Sequence, residues 1–367
     1  MRTLEYTVPP QEAGRRLEYV LRAHFELSEH RLRSLKFADC ILLDGAPAHV
    51  GRAVAAGQTV MVQLRDEGAA LAPYDLPLRV PYRDADILIV DKPAPLPSIA
   101  SARQDSATLE NAVYACLGCP ADFVYRPVSR LDKGTSGLMP IALNAVAHAR
   151  MQRMLHTGQY VREYLAVTQG APQADSGVID QPIGHAEGVR RCIDPSGKRA
   201  VTHYTVLERA ANGRALLRLR LETGRTHQIR VHLQSLGCPI AGDYLYGEPL
   251  PQLAGRFALH AARMQLTHPM TGETLTFESP LPEALAALLR RSGIPLYGAA
   301  LREDTLDART VDYSRCAIAI GSEGRGLTDA VLAVCDRTIK IPMSEHCESL
   351  NAAAAATVLL WEAARND

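Results

Sequence analysis

The sequence predicts a sheet-centred α+β protein that ends in an α/β segment. Between residue 87 and about residue 291, apolar extended runs outnumber the two helical stripes, which favours a sheet with few helices. From residue 293 the order is strand, glycine-rich turn, helix, strand and helix, which is typical of an α/β arrangement. The 367 residues exceed one ordinary core, because a domain usually holds about 100 to 200 residues. We therefore predict three domains, at residues 1–67, 74–291 and 293–367.

Two short helices are predicted near the start of the N-terminal domain. The first helix has an apolar stripe at helical spacing, formed by Leu17, Val20, Leu21, His24 and Phe25. The second helix is predicted over residues 28–37, with Ser28 as its N-cap. It carries three cations on or near one side, Arg31, Arg33 and Lys36. These cations either contact the phosphates of a nucleic acid or form a solvated helix face, and the segment alone favours neither interpretation.

A proline-rich stretch at residues 67–81 is interpreted as a linker, because proline disrupts regular hydrogen bonding. Strands are predicted at residues 40–43, 59–64, 87–90, 163–168, 201–208, 215–222, 316–320 and 338–341. Further helices are predicted at residues 108–117, 145–155 and 349–364.

Composition excludes some classes of protein and leaves the substrate open. With 47% hydrophobic and 22% charged residues, the chain has enough apolar material to fold. Its longest apolar runs are shorter than the ~20 residues that span a bilayer, and its start has no apolar leader core. Eight irregularly spaced cysteines do not resemble a disulfide framework, so we expect a cytoplasmic protein with reduced thiols and no membrane partner. The net charge is zero, which does not identify a substrate.

Asp132 is a candidate catalytic residue. Residues 130–138 read Arg-Leu-Asp-Lys-Gly-Thr-Ser-Gly-Leu, which places a carboxylate between two cations in a loop closed by glycines. An aspartate in that setting is ionised at neutral pH and is a competent nucleophile. The alternative is a turn aspartate that pairs with a neighbouring cation.

Further motifs follow along the middle domain. They read Arg-Glu-Tyr-Leu-Ala at residues 162–166, Gly-Lys-Arg-Ala at 197–200, Glu-Thr-Gly-Arg-Thr-His-Gln-Ile-Arg-Val-His at 222–232, Gly-Cys-Pro-Ile-Ala-Gly-Asp-Tyr-Leu-Tyr-Gly at 237–247 and Ala-Leu-His-Ala at 258–261. Together with the loop of Asp132, they closely resemble the ribosomal RNA pseudouridine synthase family over residues 74–290. The N-terminal domain resembles the small RNA-binding module of a ribosomal small-subunit protein.

This resemblance implies a fold, a substrate and a set of site residues. The fold is α+β, with a mixed, mainly antiparallel sheet in the synthase domain, a small N-terminal RNA-binding α/β module and a C-terminal α/β half-domain. The substrate is uridine in RNA, with ribosomal RNA favoured and transfer RNA as the alternative. The resemblance makes Asp132 the nucleophile, Tyr164 the proton-transfer and stacking residue, and Arg230 the ion-pair partner of Asp132. It assigns substrate contacts to Arg130, Leu259, Arg225 and His227.

No metal and no cofactor is predicted for the isomerisation, because the reaction involves no redox change and no cosubstrate. His227 and His232 are five residues apart, but they lack an obvious carboxylate or cysteine partner for zinc. The pair Cys116 and Cys119 is a weak metal signal without a second pair. Ser129 stands where the family usually has histidine, which bears on substrate contacts more than on activity.

The C-terminal segment carries a second resemblance. Residues 320–327 read Ile-Gly-Ser-Glu-Gly-Arg-Gly-Leu, residues 341–343 read Ile-Pro-Met, and residues 348–351 read Glu-Ser-Leu-Asn. These motifs resemble the knotted SPOUT-class RNA methyltransferases, in which such loops hold S-adenosylmethionine. The resemblance implies contacts to that cofactor from Gly321, Glu323, Gly324, Ile341, Met343 and Leu350. The alternative is a simple turn followed by a helix that Ser349 caps.

Three hypotheses about function follow from these motifs. The first is an RNA uridine isomerase, the second a bifunctional enzyme that also methylates RNA, and the third a non-catalytic RNA-binding assembly protein. The 75 residues from 293 onward are about half of a SPOUT domain and lack its first motif with the catalytic arginine, so we expect no methylation by this segment unaided. A monomer is favoured for the synthase part.

Overall fold

The computed structural model describes residues 2–27, 29–64, 66, 68, 71–101, 106–155, 157–289, 295–300, 305–313, 316–321, 326–332, 335–343 and 350–365. The chain divides into two compact units, Met1–Ala287 and Leu288–Asp367. Four residues of the sequence predictions lie outside the described residues: Ser28, Glu323, Gly324 and Ser349.

The first unit begins with a small α/β module. Its elements are β1 (Arg2–Thr7), α1 (Leu17–His24), α2 (Glu29–Phe37), β2 (Ile41–Leu43), β3 (Ala46–Pro47) and β4 (Thr59–Leu64). The strands form an antiparallel sheet in the order β1-β4-β2-β3. Both predicted helices are confirmed, and their apolar sides share one core with the sheet, which includes Leu17, Leu21, Leu35, Val60 and Val62. Strand β1 was not predicted.

Several contacts fix this module to the rest of the first unit. Arg2 donates two hydrogen bonds of 3.1 Å to the carboxylate of Asp86. Arg150 donates to the backbone carbonyl of His24 at 3.1 Å, and Val146 belongs to the core cluster of the module. The module is therefore packed against the rest of the first unit and is not an independent domain on a flexible linker.

The predicted linker was wrong at its C-terminal end. Residues from Arg79 onward form strand β5 (Arg79–Arg83), which pairs with β6 (Ile87–Lys92). Pro81 is tolerated because β5 is an edge strand, and the pairing register shifts between Arg79 and Tyr82. An edge position with a local irregularity accommodates the missing N–H of proline.

A nine-stranded sheet forms the centre of the first unit, and it is mixed but mainly antiparallel, as predicted. Besides β5 and β6, it contains β7 (Ser136–Ala142), β8 (Tyr160–Thr168), β9 (Ser176–Asp180), β12 (Val201–Arg209), β13 (Ala215–Leu221), β14 (Leu259–Thr267) and β15 (Thr274–Glu278). The strand order is β5-β6-β7-β14-β8-β13-β12-β9, with β15 paired to β14. A separate hairpin consists of β10 (Ile183–His185) and β11 (Arg191–Ile193). The helices of this region are α3 (Leu109–Cys116), α4 (Ala145–Met154), α5 (Gln228–Ser235) and α6 (Glu283–Ala286).

One parallel pairing interrupts the antiparallel order in the middle of the sheet. Strand β14 runs parallel to β7 and antiparallel to β8, with Ala261 opposite both Gly137 and Tyr164. The loop that precedes β7 and the first residues of β14 therefore meet at the same place, beside the central part of β8.

The second unit contains a small parallel sheet. Its elements are β16 (Leu296–Ala299), β17 (Leu306–Asp307), β18 (Ala317–Ile320), α7 (Asp329–Leu332), β19 (Arg337–Lys340) and α8 (Ala352–Arg365). The strand order is β17-β19-β16-β18, and every pair is parallel, in agreement with the predicted α/β class. Strand β16, which was not predicted, lies at an interior position. Among the helices in the described ranges, none is both long and apolar enough to cross a bilayer.

Candidate active site

Hydrogen bonds to its backbone carbonyls hold the loop that carries Asp132. Thr135 N donates to the carbonyl of Asp132 at 3.0 Å, which closes a tight turn. The Ser98 hydroxyl donates to the carbonyl of Leu131 at 2.6 Å, and Leu96 N donates to the carbonyl of Lys133 at 2.9 Å. The carboxylate is therefore presented from an ordered loop.

The two glycines of this loop allow close packing that a side chain would prevent. A Cβ atom on Gly134 would lie 2.5 Å from the ring of Phe257, and one on Gly137 would lie 2.3 Å from the carbonyl oxygen of Ala261. Gly137 also has a φ of +110°, which disfavours any other residue. The glycines thus bring the loop of Asp132 against the segment that enters β14.

Arg230 joins Asp132 to a second, fully buried carboxylate. Its NH1 donates to Asp132 Oδ2 at 3.0 Å, while its Nε and NH2 donate to the two oxygens of Asp243 at 2.7 and 2.8 Å. Exposure of the side chains falls from 31% for Asp132 to 2% for Arg230 and 0% for Asp243. The rings of Phe257 and Tyr246 lie 4.3 and 4.9 Å from the guanidinium carbon. A bidentate pair in an aromatic setting fixes the guanidinium and leaves its NH1 group to donate to the partly exposed Asp132.

Asp243 was not predicted as a site residue, although its motif was noted. It also accepts hydrogen bonds from the backbone nitrogens of Leu245 and Tyr246, at 3.0 and 3.2 Å. The signal in the sequence was an aspartate after glycine in residues 237–247, but that pattern does not distinguish a buried ion-pair partner from a turn residue.

All seven residues predicted for catalysis and substrate contact line one cavity of about 570 Å³. They are Asp132, Tyr164, Arg230, Arg130, Leu259, Arg225 and His227. Tyr164 is buried on β8, while Arg130 is exposed. Arg225 donates to the backbone carbonyl of Arg199 at 3.0 Å, and His227 Nε2 lies 3.8 Å from Asp132 Oδ2. The structure therefore brings together side chains that are up to 129 positions apart in the chain.

Burial sets the protonation of the tyrosine in this cavity. It raises the pKa of Tyr164, and the neighbouring Arg162 guanidinium acts in the opposite direction. Arg162 also lies over the ring of Tyr160, whose hydroxyl is 3.0 Å from Ser129 Oγ. Ser129, which replaces the usual histidine of the family, thus contacts Tyr160 at the wall of the cavity.

Lys92 is fully buried next to the same loop. Its ammonium donates to the carbonyl of Leu96 at 2.7 Å and to that of Pro93 at 3.1 Å. Burial lowers the pKa of Lys92 to about 7, although the charge of Asp132 acts against this shift and Arg256 adds to it. Lys92 therefore stabilises the segment next to the loop of Asp132 through hydrogen bonds and can lose its proton near neutral pH.

Replacing Lys92 with methionine should remove a pH dependence from the stability of the protein. The pKa of Lys92 is about 7 in the folded protein and its ordinary value is 10.5, so between these values the unfolded chain binds one more proton. The free energy of unfolding of the wild type should therefore rise with pH relative to Lys92→Met, by up to roughly 1.4 kcal/mol per pH unit in this window. Below about pH 7 the difference should be constant.

Urea unfolding followed by circular dichroism, at about pH 6, 8 and 9, measures this difference. Lys133→Met, at an exposed position of the same loop, is the matched control, and its free energy of unfolding should vary with pH as that of the wild type does. The same pH dependence in Lys92→Met and the wild type would contradict the lowered pKa of Lys92.

The two histidines that are five residues apart, His227 and His232, have different surroundings. His232 is buried, with its two ring nitrogens 2.9 Å from Thr202 Oγ1 and the carbonyl of Gln181, while His227 lines the cavity. Within the described residues, one group has ligand atoms close enough for a metal ion: Asp84, Asp86 and His268. Its carboxylates already accept hydrogen bonds from backbone nitrogens, Arg2 and Asn144. We interpret this group as structural.

The remaining predicted residues belong to the N-terminal module and to the second unit. Arg33 and Lys36 are exposed on α2, and Arg33 is paired with Glu29 at 2.7 Å, while the side chain of Arg31 lies outside the described part. Four of the residues predicted to contact S-adenosylmethionine are described in the second unit, namely Gly321, Ile341, Met343 and Leu350. Their role stays a prediction.

Comparisons with known proteins show which families this chain is similar to. The sequence profile of the RNA pseudouridylate synthase family matches residues 86–235, and that of the SpoU rRNA Methylase family matches residues 263–361. A protein of Nitrosomonas europaea named ribosomal large subunit pseudouridine synthase D is 38% identical over 306 residues, covering 78% of this chain and 87% of that protein. A protein of the same name from Xanthomonas campestris is 37% identical over 329 residues, covering 84% of this chain and 95% of that protein. The structure titled Human RNA Pseudouridylate Synthase Domain Containing 1 is 26% identical and covers 59% of this chain and 96% of that chain, with a TM-score of 0.46.

These sequence matches define the class of protein, an enzyme that modifies RNA. The chain belongs to the RNA pseudouridylate synthase family. It is an isomerase that converts uridine to pseudouridine, and its C-terminal part resembles SpoU methyltransferases.

Proposed function

We propose that this pseudouridine synthase acts on ribosomal RNA of the large subunit, with Asp132 as the nucleophile. The observation that carries the proposal is the ion pair between Asp132 and the buried Arg230 inside one cavity with Tyr164 and Leu259. The names of the most similar relatives support the choice of RNA. The N-terminal module supports it as well, since it adds a second surface for RNA.

The residues of the cavity provide what the isomerisation requires. Uracil must leave the sugar at nitrogen 1, rotate and rejoin through carbon 5, which needs an extruded base and a proton acceptor. Asp132 attacks or stabilises the detached group, and Arg230 holds its carboxylate in one orientation. Leu259 contacts the uracil, Tyr164 stacks and transfers the proton, and Arg130 occupies the space that the flipped nucleotide leaves. We propose that these side chains suffice without a metal or cofactor.

Release of tritium from RNA labelled at carbon 5 of uridine tests whether the enzyme isomerises uridine and which RNA it acts on. Labelled transcripts of large-subunit ribosomal RNA should release tritium, while small-subunit ribosomal RNA and transfer RNA serve as matched controls. Release from transfer RNA alone would contradict the ribosomal assignment. No release from any RNA would favour a non-catalytic RNA-binding protein. Mapping pseudouridines in cells that lack the gene then identifies the position.

Removing the cations of α2 should weaken RNA binding. Changing Arg31, Arg33 and Lys36 to alanine should lower the affinity and make its salt dependence shallower, if the RNA duplex behaves like DNA. The log-log slope should fall by up to ~0.9 units for each phosphate that these side chains neutralise in the wild type. Filter binding across a range of salt concentrations measures the slope.

A matched control for this triple variant removes three exposed cations elsewhere in the same module, Arg15, Arg22 and Arg52. The control should leave the slope unchanged. If the α2 variant also leaves it unchanged, α2 is a solvated face.

The match of residues 263–361 to the SpoU rRNA Methylase family raises a second candidate function, RNA methylation. However, we propose that the second unit does not methylate RNA, because it supplies only about half of such a domain. Calorimetry with S-adenosylmethionine should show no saturable heat, whereas saturable binding would favour the bifunctional enzyme.

We also propose that the protein acts in the cytoplasm and that its synthase part is monomeric. Cell fractionation and light scattering of the purified chain test these two points.

A further inference from the structure

The hydroxyl of Tyr246 has two hydrogen-bond partners, one of which is His227, a residue that lines the cavity. The backbone nitrogen of Arg191 is 2.8 Å from this oxygen, and Nδ1 of His227 is also 2.8 Å from it. Among the described residues these are its hydrogen-bond partners. The Tyr246 side chain is buried, so water does not replace either contact freely.

These contacts determine which ring nitrogen of His227 carries the proton. A backbone N–H can only donate, so the Tyr246 oxygen accepts from Arg191. The hydroxyl proton then needs an acceptor, and Nδ1 of His227 is the one within reach. Nδ1 can accept only when it is unprotonated, which places the proton of a neutral imidazole on Nε2.

The position of His227 relative to Asp132 leads to the same tautomer independently. Its Nε2 lies 3.8 Å from Asp132 Oδ2. With the proton on Nε2, an N–H dipole faces the carboxylate, whereas the other tautomer would turn a lone pair toward a negative oxygen. The contacts of His227 with Tyr246 and with Asp132 therefore both favour the Nε2–H tautomer.

We propose that Tyr246 is a positioning residue that fixes His227 as the Nε2–H tautomer, so that His227 and Arg230 both face Oδ2 of Asp132 and Oδ1 is the oxygen that reacts. Oδ2 accepts from Arg230 at 3.0 Å and has His227 at 3.8 Å, while Oδ1 has no hydrogen-bond partner among the described residues. The proposal rests on the assignment of Asp132 as the nucleophile.

The surroundings of His227 give this arrangement a pH dependence. Burial lowers the pKa of His227, Arg230 and Arg191 act in the same direction, and Asp132 and Asp243 oppose the shift. A hydrogen bond that Tyr246 donates to Nδ1 also favours the neutral ring. Loss of that hydroxyl should therefore raise the pKa of His227, and the acid limb of the rate profile should move to higher pH.

Nitrogen-15 NMR of the full-length wild type with labelled histidine tests the tautomer without RNA and without activity. His227→Gln identifies the signal. The expected spectrum near neutral pH shows a neutral ring protonated at Nε2, and an Nδ1–H tautomer would overturn the proposal. This readout is independent of whether the substrate is ribosomal RNA.

The kinetics of Tyr246→Phe test whether the tautomer of His227 affects the reaction rate. The kcat should fall roughly 10- to 100-fold with little change in KM, because a small misplacement of a catalytic group can cost about 100-fold. Tyr244→Phe, at a half-exposed position of the same loop, is the matched control and should keep both the rate and the pH profile. His227→Gln, which retains an N–H donor, should keep more activity than His227→Ala. A Tyr246→Phe enzyme with the wild-type rate and acid limb, or equal losses in the two His227 variants, would overturn the proposal.

Discussion

Replacing Asp132 with asparagine should abolish the isomerisation while leaving the fold and RNA binding intact. The amide keeps the size of the side chain but is not a nucleophile, so the rate should fall by at least about 10⁴-fold. Stability should change little, because Asp132 is partly exposed and Arg230 keeps both hydrogen bonds to Asp243. Tritium release measures the activity, and filter binding measures the affinity for RNA.

Asp180→Asn, which changes an exposed aspartate of the same unit, is the matched control for the isomerisation assay. It should release tritium at the wild-type rate. An Asp132→Asn enzyme that is fully active would refute the assignment of the nucleophile. Loss of RNA binding together with activity would show that the carboxylate supports the substrate rather than attacks it.

Replacing Asp243 with asparagine should reduce both stability and activity. Arg230 is buried, and removal of one partner of a buried ion pair typically costs about 3–5 kcal/mol, since a charge is left without full compensation. The activity should fall as well, because Arg230 would no longer hold Asp132 in one orientation. Thermal unfolding and tritium release measure the two effects.

The contrast between these two variants distinguishes their roles. Asp132→Asn should lose activity alone, while Asp243→Asn should lose activity and stability together. Asp175→Asn, at a strongly exposed ion pair with Arg209, should show no measurable loss of either. An Asp243→Asn protein as stable as the wild type would contradict the energetic role of the buried pair.

The residues that line the cavity could be predicted largely from the sequence, because the family resemblance covers the motifs that contain them. Asp132 and Arg230 are far apart in the chain, and the family resemblance, rather than any local pattern, paired them. Asp243 escaped prediction because nothing in its motif reports burial. Its role depends on how residues 239–247 pack against Arg230, which is a tertiary property. The tautomer of His227 likewise depends on Tyr246 and on a backbone nitrogen.

Several apolar strands were predicted, including the edge strand β18, whereas the edge strands β1 and β5 were missed. Strands β1 and β5 contain polar residues or proline and lie at the ends of their sheets. Such strands owe their conformation to one neighbouring strand more than to their own pattern. The interior strands β7, β14 and β16 were missed as well, and in β14 the residues His260, Arg263 and Gln265 interrupt the apolar pattern.

The contacts of the N-terminal module with the central sheet also bear on how the enzyme selects RNA. Because Val146 belongs to the module core and Arg2 is paired with Asp86, α2 and Asp132 belong to one compact unit with a set span between them. If α2 contacts RNA as proposed, the target nucleotide of that RNA has to lie at this distance from the α2 contact. We would then expect the enzyme to select substrates by their dimensions as well as by their base sequence.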